Sequence, residues 1–191
     1  EEFAVTNLMA WSPDSEYLAF VRFDESEVPE YSMQMYGEGL YPGYYEYKYP
    51  KAGQKNSKVS VHSYSVVTKD TKEMKVPVEG DFYIPRITFT QNPDQLAIMT
   101  LNRQQNVFNM YYANPKSGVF RLILREENKC YVDSDWLTSI QFLNNGFTYV
   151  SEQDGYSHIY LYSPTGVMQR QVTQGNWDVT KFLGVDENTK T

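Results

Sequence analysis

The chain has 191 residues and a formal net charge of −7 at pH 7. That length is enough for one ordinary domain with a sizeable core. The negative charge argues against nucleic acid as a partner, because phosphates are bound by clustered Lys and Arg side chains. No run of about 18 apolar residues occurs, so the sequence predicts no membrane span.

Aromatic residues make up 16% of the chain, and 17 residues are tyrosines. Tyrosine at that density suits strand faces and interfaces better than helices. The single cysteine, Cys130, excludes an internal disulfide and a cysteine-based zinc site. The chain starts at Glu1 with no Met and shows no signal peptide, so we expect it to be a piece of a longer protein.

One sequence phrase, an aromatic residue followed by a turn and an apolar strand, occurs three times, at 11–20, 89–98 and 142–150. Each copy is followed by an alternating segment, a turn and a second alternating segment. A unit that recurs roughly every 40 residues is typical of a β-propeller. A β-sandwich of similar strand count is the alternative, although a sandwich need not repeat the phrase at the same place in each unit.

The predicted fold is therefore all-β, a β-propeller fragment with about three four-stranded blades and the start of a fourth. The first unit has predicted strands at 4–10, 17–23, 59–66 and 74–78, with turns at 12–14 and 68–72. The second starts near 84 and continues with strands at 96–101, 107–113 and 120–124. The third has strands at 139–142, 147–150, 158–162 and 167–172, and a fourth unit begins at 179–185.

Residues 24–57 interrupt the first unit as a long insertion that holds seven of the tyrosines. Its Gly and Pro content disfavours a helix. Tyr45, Tyr47 and Tyr49 alternate with charged residues, so on a strand they share one face. The insertion is either a loop that folds back on its own blade or an arm that reaches a partner, since tyrosine combines a broad ring with a polar hydroxyl.

Other candidate residues favour structural roles. His62 and His158 lie on predicted strands, where lone histidines are usually core or ladder residues. Four acids, Asp14, Asp24, Glu25 and Glu27, lack the regular spacing of a calcium loop and fit solvated turns better. For Cys130 we expect a buried or half-buried inert thiol.

Two chemical signatures are missing from the sequence. It contains no Gly-x-Ser-x-Gly nucleophile elbow and no Gly-rich phosphate loop. We therefore predict no cofactor and no metal.

A set of phrases in family order resembles the N-terminal β-propeller of the dipeptidyl peptidase IV family, within the prolyl oligopeptidase group of serine peptidases, and is most similar to its bacterial members. The first phrase alone is shared with TolB-like propellers, whereas the set covers nearly the whole chain. The phrases lie at 11–14, 23–29, 49–53, 101–106, 154–159 and 175–179.

The resemblance implies a role for Glu1 and Glu2, which lie where the family has a double-glutamate motif before the blade that opens with Trp-Ser-Pro. Two adjacent carboxylates can accept charge-assisted hydrogen bonds from the free α-ammonium of a peptide. An acylated or internal segment has no such cation and leaves the carboxylates desolvated and unpaired. Without the resemblance, two glutamates at a chain end are an ordinary solvated terminus.

The resemblance also implies what the parent protein does. It would release Xaa-Pro or Xaa-Ala dipeptides from peptide N-termini, by acyl transfer through Ser on an α/β-hydrolase domain of the same chain. That domain is absent from these 191 residues, so we expect them to be inactive alone. A homodimer through the 24–57 arm and a periplasmic or cell-envelope location are further implications.

Two other functions stay open. One is a non-catalytic TolB-like propeller that acts as a protein-interaction module. The other is a different exopeptidase of the same group, such as a tripeptidyl peptidase.

Overall fold

The computed structural model describes residues 8–189, which form three four-stranded antiparallel sheets and one two-stranded ribbon. In chain order the strands are β1 Met9–Trp11, β2 Tyr17–Asp24, β3 Glu30–Met35, β4 Gly43–Lys48, β5 Lys58–Ser65, β6 Thr71–Met74, β7 Phe82–Phe89, β8 Leu96–Asn102, β9 Val107–Ala113, β10 Phe120–Glu127, β11 Gln141–Leu143, β12 Gly146–Ser151, β13 His158–Tyr162 and β14 Met168–Gln171. A 3₁₀ helix, Ser134–Ser139, precedes β11. The sheet orders are β1-β2-β5-β6, β7-β8-β9-β10 and β11-β12-β13-β14, and the ribbon is β3-β4.

The three sheets pack face to face in chain order, with an apolar core between each neighbouring pair. The second sheet is the middle layer, so its strand β8 is buried on both sides. Leu96 and Ile98 join the core toward the first sheet, whereas Met99 and Leu101 join the core toward the third. Successive side chains of a strand point to opposite faces, which explains why β8 is a continuous apolar run rather than an alternating one.

Most predicted strands are confirmed with bounds within three residues, and β9 and β13 have the predicted bounds. The last strand of the first sheet is an exception, because it was expected at 74–78 and lies at Thr71–Met74. Lys69 has a left-handed φ of 61° and its N–H donates to the Ser65 carbonyl at 2.9 Å, which closes the reversal early. Pro77 has no N–H to extend the pairing.

The insertion between β2 and β5 forms the ribbon of β3 and β4, a sheet of its own. As expected, Tyr45, Tyr47 and Tyr49 share a face: the Tyr45–Tyr47 ring centroids are 5.4 Å apart and the Tyr47–Tyr49 centroids 6.0 Å. Tyr31 on the paired strand contacts Tyr47 at 5.8 Å. Lys51 Nζ lies 5.1 Å from the centre of the Tyr31 ring. These contacts stabilise the base of the ribbon, which is the end where Glu30 pairs with Lys48.

Residues 179–185, where the sequence predicts the start of a fourth unit, form no strand in the structure but lie beside β11. The Gln141 side chain connects the two, since its Nε2 donates to the Val185 carbonyl at 2.9 Å and its Oε1 accepts from the Val185 N–H at 2.7 Å. Glu187 accepts from the Asn144 N–H at 3.0 Å. No helix within residues 8–189 has the length and apolar content needed to cross a membrane.

Candidate functional site

A cleft of about 620 Å³ lies along the first strands of the second and third sheets. Its walls are the second half of β7, the end of the 3₁₀ helix together with β11, and residues 182–184. The first strands β1 and β7 also contact each other. Among the lining residues, Arg86 is charged and the others are apolar, hydroxyl or amide residues or glycine.

A bulge in β7 positions Arg86. Between the pairs Tyr83–Leu101 and Arg86–Met99, β7 has one residue more than β8. Pro85 lies in this bulge, and a proline cannot donate a ladder hydrogen bond. Bulges change the direction of the following side chains and occur often beside functional sites.

Arg86 is half-buried and its guanidinium makes one hydrogen bond, from Nη1 to the Leu137 carbonyl at 2.8 Å. Burial lowers the pKa of Arg86, because desolvation disfavours the charged form. The ordinary pKa of arginine is so high that the group stays protonated near neutral pH. Within residues 8–189, Arg86 forms no ion pair with a carboxylate.

Three other polar side chains of the cleft bond to backbone groups. Ser139 Oγ donates to the Trp136 carbonyl at 2.6 Å, and Thr138 Oγ1 donates to the Asp135 carbonyl at 2.9 Å. Gln141 uses both ends of its amide on Val185. Within the described residues Arg86 is therefore the charged group of this cleft with free donors, and the Gln91 amide is a neutral donor beside it.

Glu1 and Glu2, the predicted substrate-binding pair, lie outside the described residues. Their role stays a prediction.

A Ser–His contact occurs on β5, where Ser60 Oγ lies 3.0 Å from His62 Nε2. The His62 ring stacks on Phe20 with centroids 5.3 Å apart. Within the described part of the chain no carboxylate bonds to the other ring nitrogen of His62. A nucleophile–base pair requires such a third group to orient the base, so this contact fits the expected ladder role.

His158 is fully buried at the start of β13. Its Nε2 lies 2.9 Å from the Gly175 carbonyl, which can only accept, so Nε2 carries the proton. Its Nδ1 lies 3.1 Å from Thr173 Oγ1, and Trp177 contacts the ring edge-on with centroids 5.1 Å apart. The imidazole connects 173–177 to the third sheet, which is the core role expected for it.

The expectation of a buried or half-buried thiol at Cys130 is wrong, because this side chain is exposed. Cys130 lies in an irregular turn beyond β10, where its N–H donates to Asn128 Oδ1 at 3.1 Å. No core packs over that turn at Cys130.

The four acids considered for calcium are exposed to solvent, and three of them lie outside the strands, whereas Asp24 is the last residue of β2. Hydrogen bonds from Ser12 and the Glu16 N–H lower the pKa of Asp14, and bonds from Ser26 lower that of Asp24. Lys55 and Lys58 lower the pKa of Glu27 to about 2. Within residues 8–189 no group of three or more His, Cys, Asp or Glu side chains is arranged to hold a metal ion.

One carboxyl group lies at the contact between the second and third sheets. Glu126 on β10 is half-buried, and it accepts hydrogen bonds from the hydroxyls of Tyr149 and Ser151 on β12. Burial raises its pKa, and the nearby Glu152 adds to that effect, while the two hydroxyls oppose it. Burial also raises the pKa of Tyr149 well above its ordinary range.

The far half of the ribbon is an exposed apolar surface. Its members are Met35, Tyr36, Leu40, Tyr41 and Tyr44, with Leu40 exposed by 98% and Tyr41 by 88%. We call these five residues the ribbon tip. Contiguous exposed apolar groups of this kind mark interaction surfaces.

Several known proteins are similar to this chain in sequence. Residues 1–191 match the family described as the dipeptidyl peptidase IV N-terminal region. Dipeptidyl peptidase 4 of Arthroderma otae is 31% identical over 209 residues, which cover 100% of this chain and 26% of that protein. Dipeptidyl-aminopeptidase B of Aspergillus niger is 27% identical over 205 residues, covering 94% of this chain and 23% of that protein.

Among solved structures, the crystal structure of Porphyromonas gingivalis dipeptidyl peptidase 4 superimposes with a TM-score of 0.92 at 61% identity. The match covers 98% of this chain and 27% of that one. The chain thus spans about a quarter of the length of the relatives it matches.

The successive four-stranded antiparallel sheets are therefore blades of a β-propeller: three complete blades and the start of a fourth. The chain belongs to the dipeptidyl peptidase IV family, in its N-terminal region.

Sequence reasoning missed the cleft and Arg86. The sequence contained two signals for the special position of Arg86. Pro85 next to it marks a bulge, and Arg86, Thr88 and Thr90 alternate with apolar residues. That the alternating polar face borders a cleft depends on how three blades pack.

Proposed function

We propose that this chain is the propeller region of a serine dipeptidyl peptidase, which releases Xaa-Pro or Xaa-Ala dipeptides from the free N-termini of peptides. One observation carries the proposal: the family match extends over residues 1–191, the whole chain. The propeller binds the substrate terminus and restricts access. An α/β-hydrolase domain of the same protein supplies the nucleophilic Ser and its base.

In this proposal Glu1 and Glu2 accept hydrogen bonds from the α-ammonium of the substrate. A cation at a fixed distance from the nucleophile defines which peptide bond is cleaved, here the bond after the second residue. Each charge-assisted bond contributes roughly 1.5–3 kcal/mol. A blocked terminus has no cation for the pair and leaves two carboxylates desolvated, which discriminates against internal segments.

The proposal is tested by Glu1→Gln and Glu2→Gln in the full-length protein, with a Gly-Pro chromogenic substrate. Because glutamine keeps the shape and removes the charge, kcat/KM should fall about ten- to a hundredfold for each substitution. Glu16→Gln, an exposed carboxylate of the first turn, is the control and should leave kcat/KM unchanged. Unchanged kinetics in both variants would reject the anchoring role.

The purified 191-residue chain should not hydrolyse the same substrate, because the catalytic Ser lies in the other domain. If this chain alone hydrolysed the substrate and serine-directed reagents blocked the reaction, the proposal that the catalytic Ser lies in the other domain would be wrong.

The parent protein is further proposed to form a homodimer through the 24–57 arm. The exposed aromatic and aliphatic side chains of the ribbon tip support this, since tyrosine is enriched in interface cores. A periplasmic or cell-envelope location and the lack of cofactor and metal stay predictions.

A further inference from the structure

We propose that the cleft between β7, β11 and residues 182–184 is a subsite for a carboxylate group of a bound peptide, with Arg86 as the group that recognises it. The inference rests on the proposed function in taking a peptide as the ligand. The ammonium-binding role of Glu1 and Glu2 does not require this subsite, because the subsite would bind a carboxylate of the peptide and the two acids would bind its ammonium.

The first argument is the state of the guanidinium. Arginine has five N–H donors, and Arg86 uses one of its nitrogens on the Leu137 carbonyl. A half-buried cation without a counter-ion loses solvation that an anionic ligand can replace. Although the chain has a net charge of −7, Arg86 forms no ion pair with a carboxylate of residues 8–189.

The second argument is the chemistry of the other lining groups. Thr138, Ser139 and Gln141 are bonded to backbone, so within the described residues Arg86 is the charged donor that remains for a ligand, beside the neutral amide of Gln91. A planar guanidinium binds a carboxylate through two parallel hydrogen bonds. Among residues 8–189, the lining contains no acid that would compete for it.

The third argument is the apolar part of the lining, which selects a peptide over a small inorganic anion. Phe142 and Phe182 border the cleft, and Leu183 is exposed by 87% at its rim. Apolar side chains next to one placed charge are typical of ligand pockets that hold organic groups. A peptide offers both parts, and its carboxylate is either an Asp or Glu side chain or the chain terminus.

The two sources of the carboxylate are distinguished by four peptides of one sequence. They carry either Asp or Asn in the third position and end in either a free acid or an amide. Their N-termini are free, and an N-methylated, non-hydrolysable bond follows the second residue, so that the full-length protein binds them without releasing a dipeptide. Dissociation constants are measured by calorimetry at low salt.

We expect one acidic form, side chain or terminus, to bind about tenfold more tightly than its neutral counterpart, the factor for one charge-assisted contact. Arg86→Gln retains a donor for Leu137 and should abolish this difference, while Arg86→Lys should retain part of it as a point charge. The fully neutral peptide should bind all variants alike. Equal binding of all four peptides by the unmodified protein would overturn the proposal, as would a charge preference that persists in Arg86→Gln.

A second pair of variants leaves Arg86 in place, in case its replacement impairs folding. Thr88 lies two residues along the same face of β7, so Thr88→Glu supplies an internal carboxylate next to Arg86. The acidic preference should disappear in Thr88→Glu and persist in the control Thr88→Gln. A preference retained in Thr88→Glu would count against the subsite.

The outcome is separable from that of the proposed function. If the protein releases no dipeptides, the calorimetric preference and its dependence on Arg86 still stand. If dipeptide release depends on Glu1 and Glu2 while all four peptides bind alike, the proposed function stands and the carboxylate subsite falls.

Discussion

At the residue scale, Glu126 shows how a contact between blades shifts the titration of a carboxyl group. The folded protein raises its pKa above the unfolded value, mainly by burial against Tyr149 and Ser151 of the next blade. The folded form therefore keeps a proton that the unfolded chain releases, so stability falls as pH rises from the unfolded pKa through the folded one.

We predict that Glu126→Gln, which removes the charge but keeps an acceptor for the two hydroxyls, matches the unmodified protein near pH 4 and melts a few degrees higher near pH 7. Thermal unfolding of the full-length protein across that pH range is the measurement. Glu127→Gln, the exposed neighbour that pairs with Arg125, serves as the control and should show no gain at pH 7. A variant that is less stable than the unmodified protein at pH 7 would show that the charged carboxylate stabilises the blade contact.

At the element scale, the two ends of the ribbon differ, because tyrosine rings pack on one another at its base whereas the ribbon tip is exposed. Tyrosine rings at the base contact one another, whereas Leu40 and Tyr41 project almost fully into solvent. We predict that Leu40→Ser with Tyr41→Ser leaves the blades folded and weakens the proposed homodimer at least tenfold, since one central aromatic commonly contributes about 2 kcal/mol to an interface.

Sedimentation of the full-length protein over a range of concentrations measures the dimerisation constant. Tyr131→Ser, which removes another exposed tyrosine away from the ribbon, is the matched control. An unchanged dimer in the double variant would exclude the ribbon tip as the contact.

At the scale of the whole molecule, the blades approach each other closely at their outer strands. Gly166, in the turn before β14, has a φ of 86°, and a Cβ placed there would lie 1.8 Å from the Ile123 carbonyl oxygen of the neighbouring blade. Ile123 lies at the bulge of β10. The close contact is with its backbone atoms, so a change of side-chain rotamer cannot relieve it. Glycine is required both for the left-handed conformation and for the approach.

We predict that Gly166→Ala destabilises the protein by about 2–5 kcal/mol, adding a steric term of about 1–3 kcal/mol to the backbone strain of about 1–2 kcal/mol. Gly155→Ala isolates the strain, because its φ is 101° but nothing lies within 4 Å of the added Cβ. Urea unfolding of both variants gives the comparison. Equal losses would mean that the two blades separate easily at this contact.

Most of the blade strands and their reversals could be predicted from the sequence, because they follow from alternation and turn residues within a few positions of one another. For the insertion at 24–57 the shared face of Tyr45, Tyr47 and Tyr49 was predicted, but not the pairing of β3 with β4. The double-sided burial of β8 was visible only as an apolar run, and its cause is the third blade packing over it. The turn at 68–72 was predicted, but the early start of the next strand at Thr71 was missed, since a left-handed residue such as Lys69 gives a weak local signal when it is not glycine or asparagine.

Local alternation is enough to predict the all-β repeat, and phrases in a fixed order are enough to predict the family. The paired acids Glu1 and Glu2 stay a prediction of that resemblance. Tertiary structure decided that Arg86 borders a cleft, that Glu126 is half-buried between blades and that Cys130 is exposed. Solvation of a side chain depends on groups distant in the chain that packing brings against it, and no local pattern encodes that.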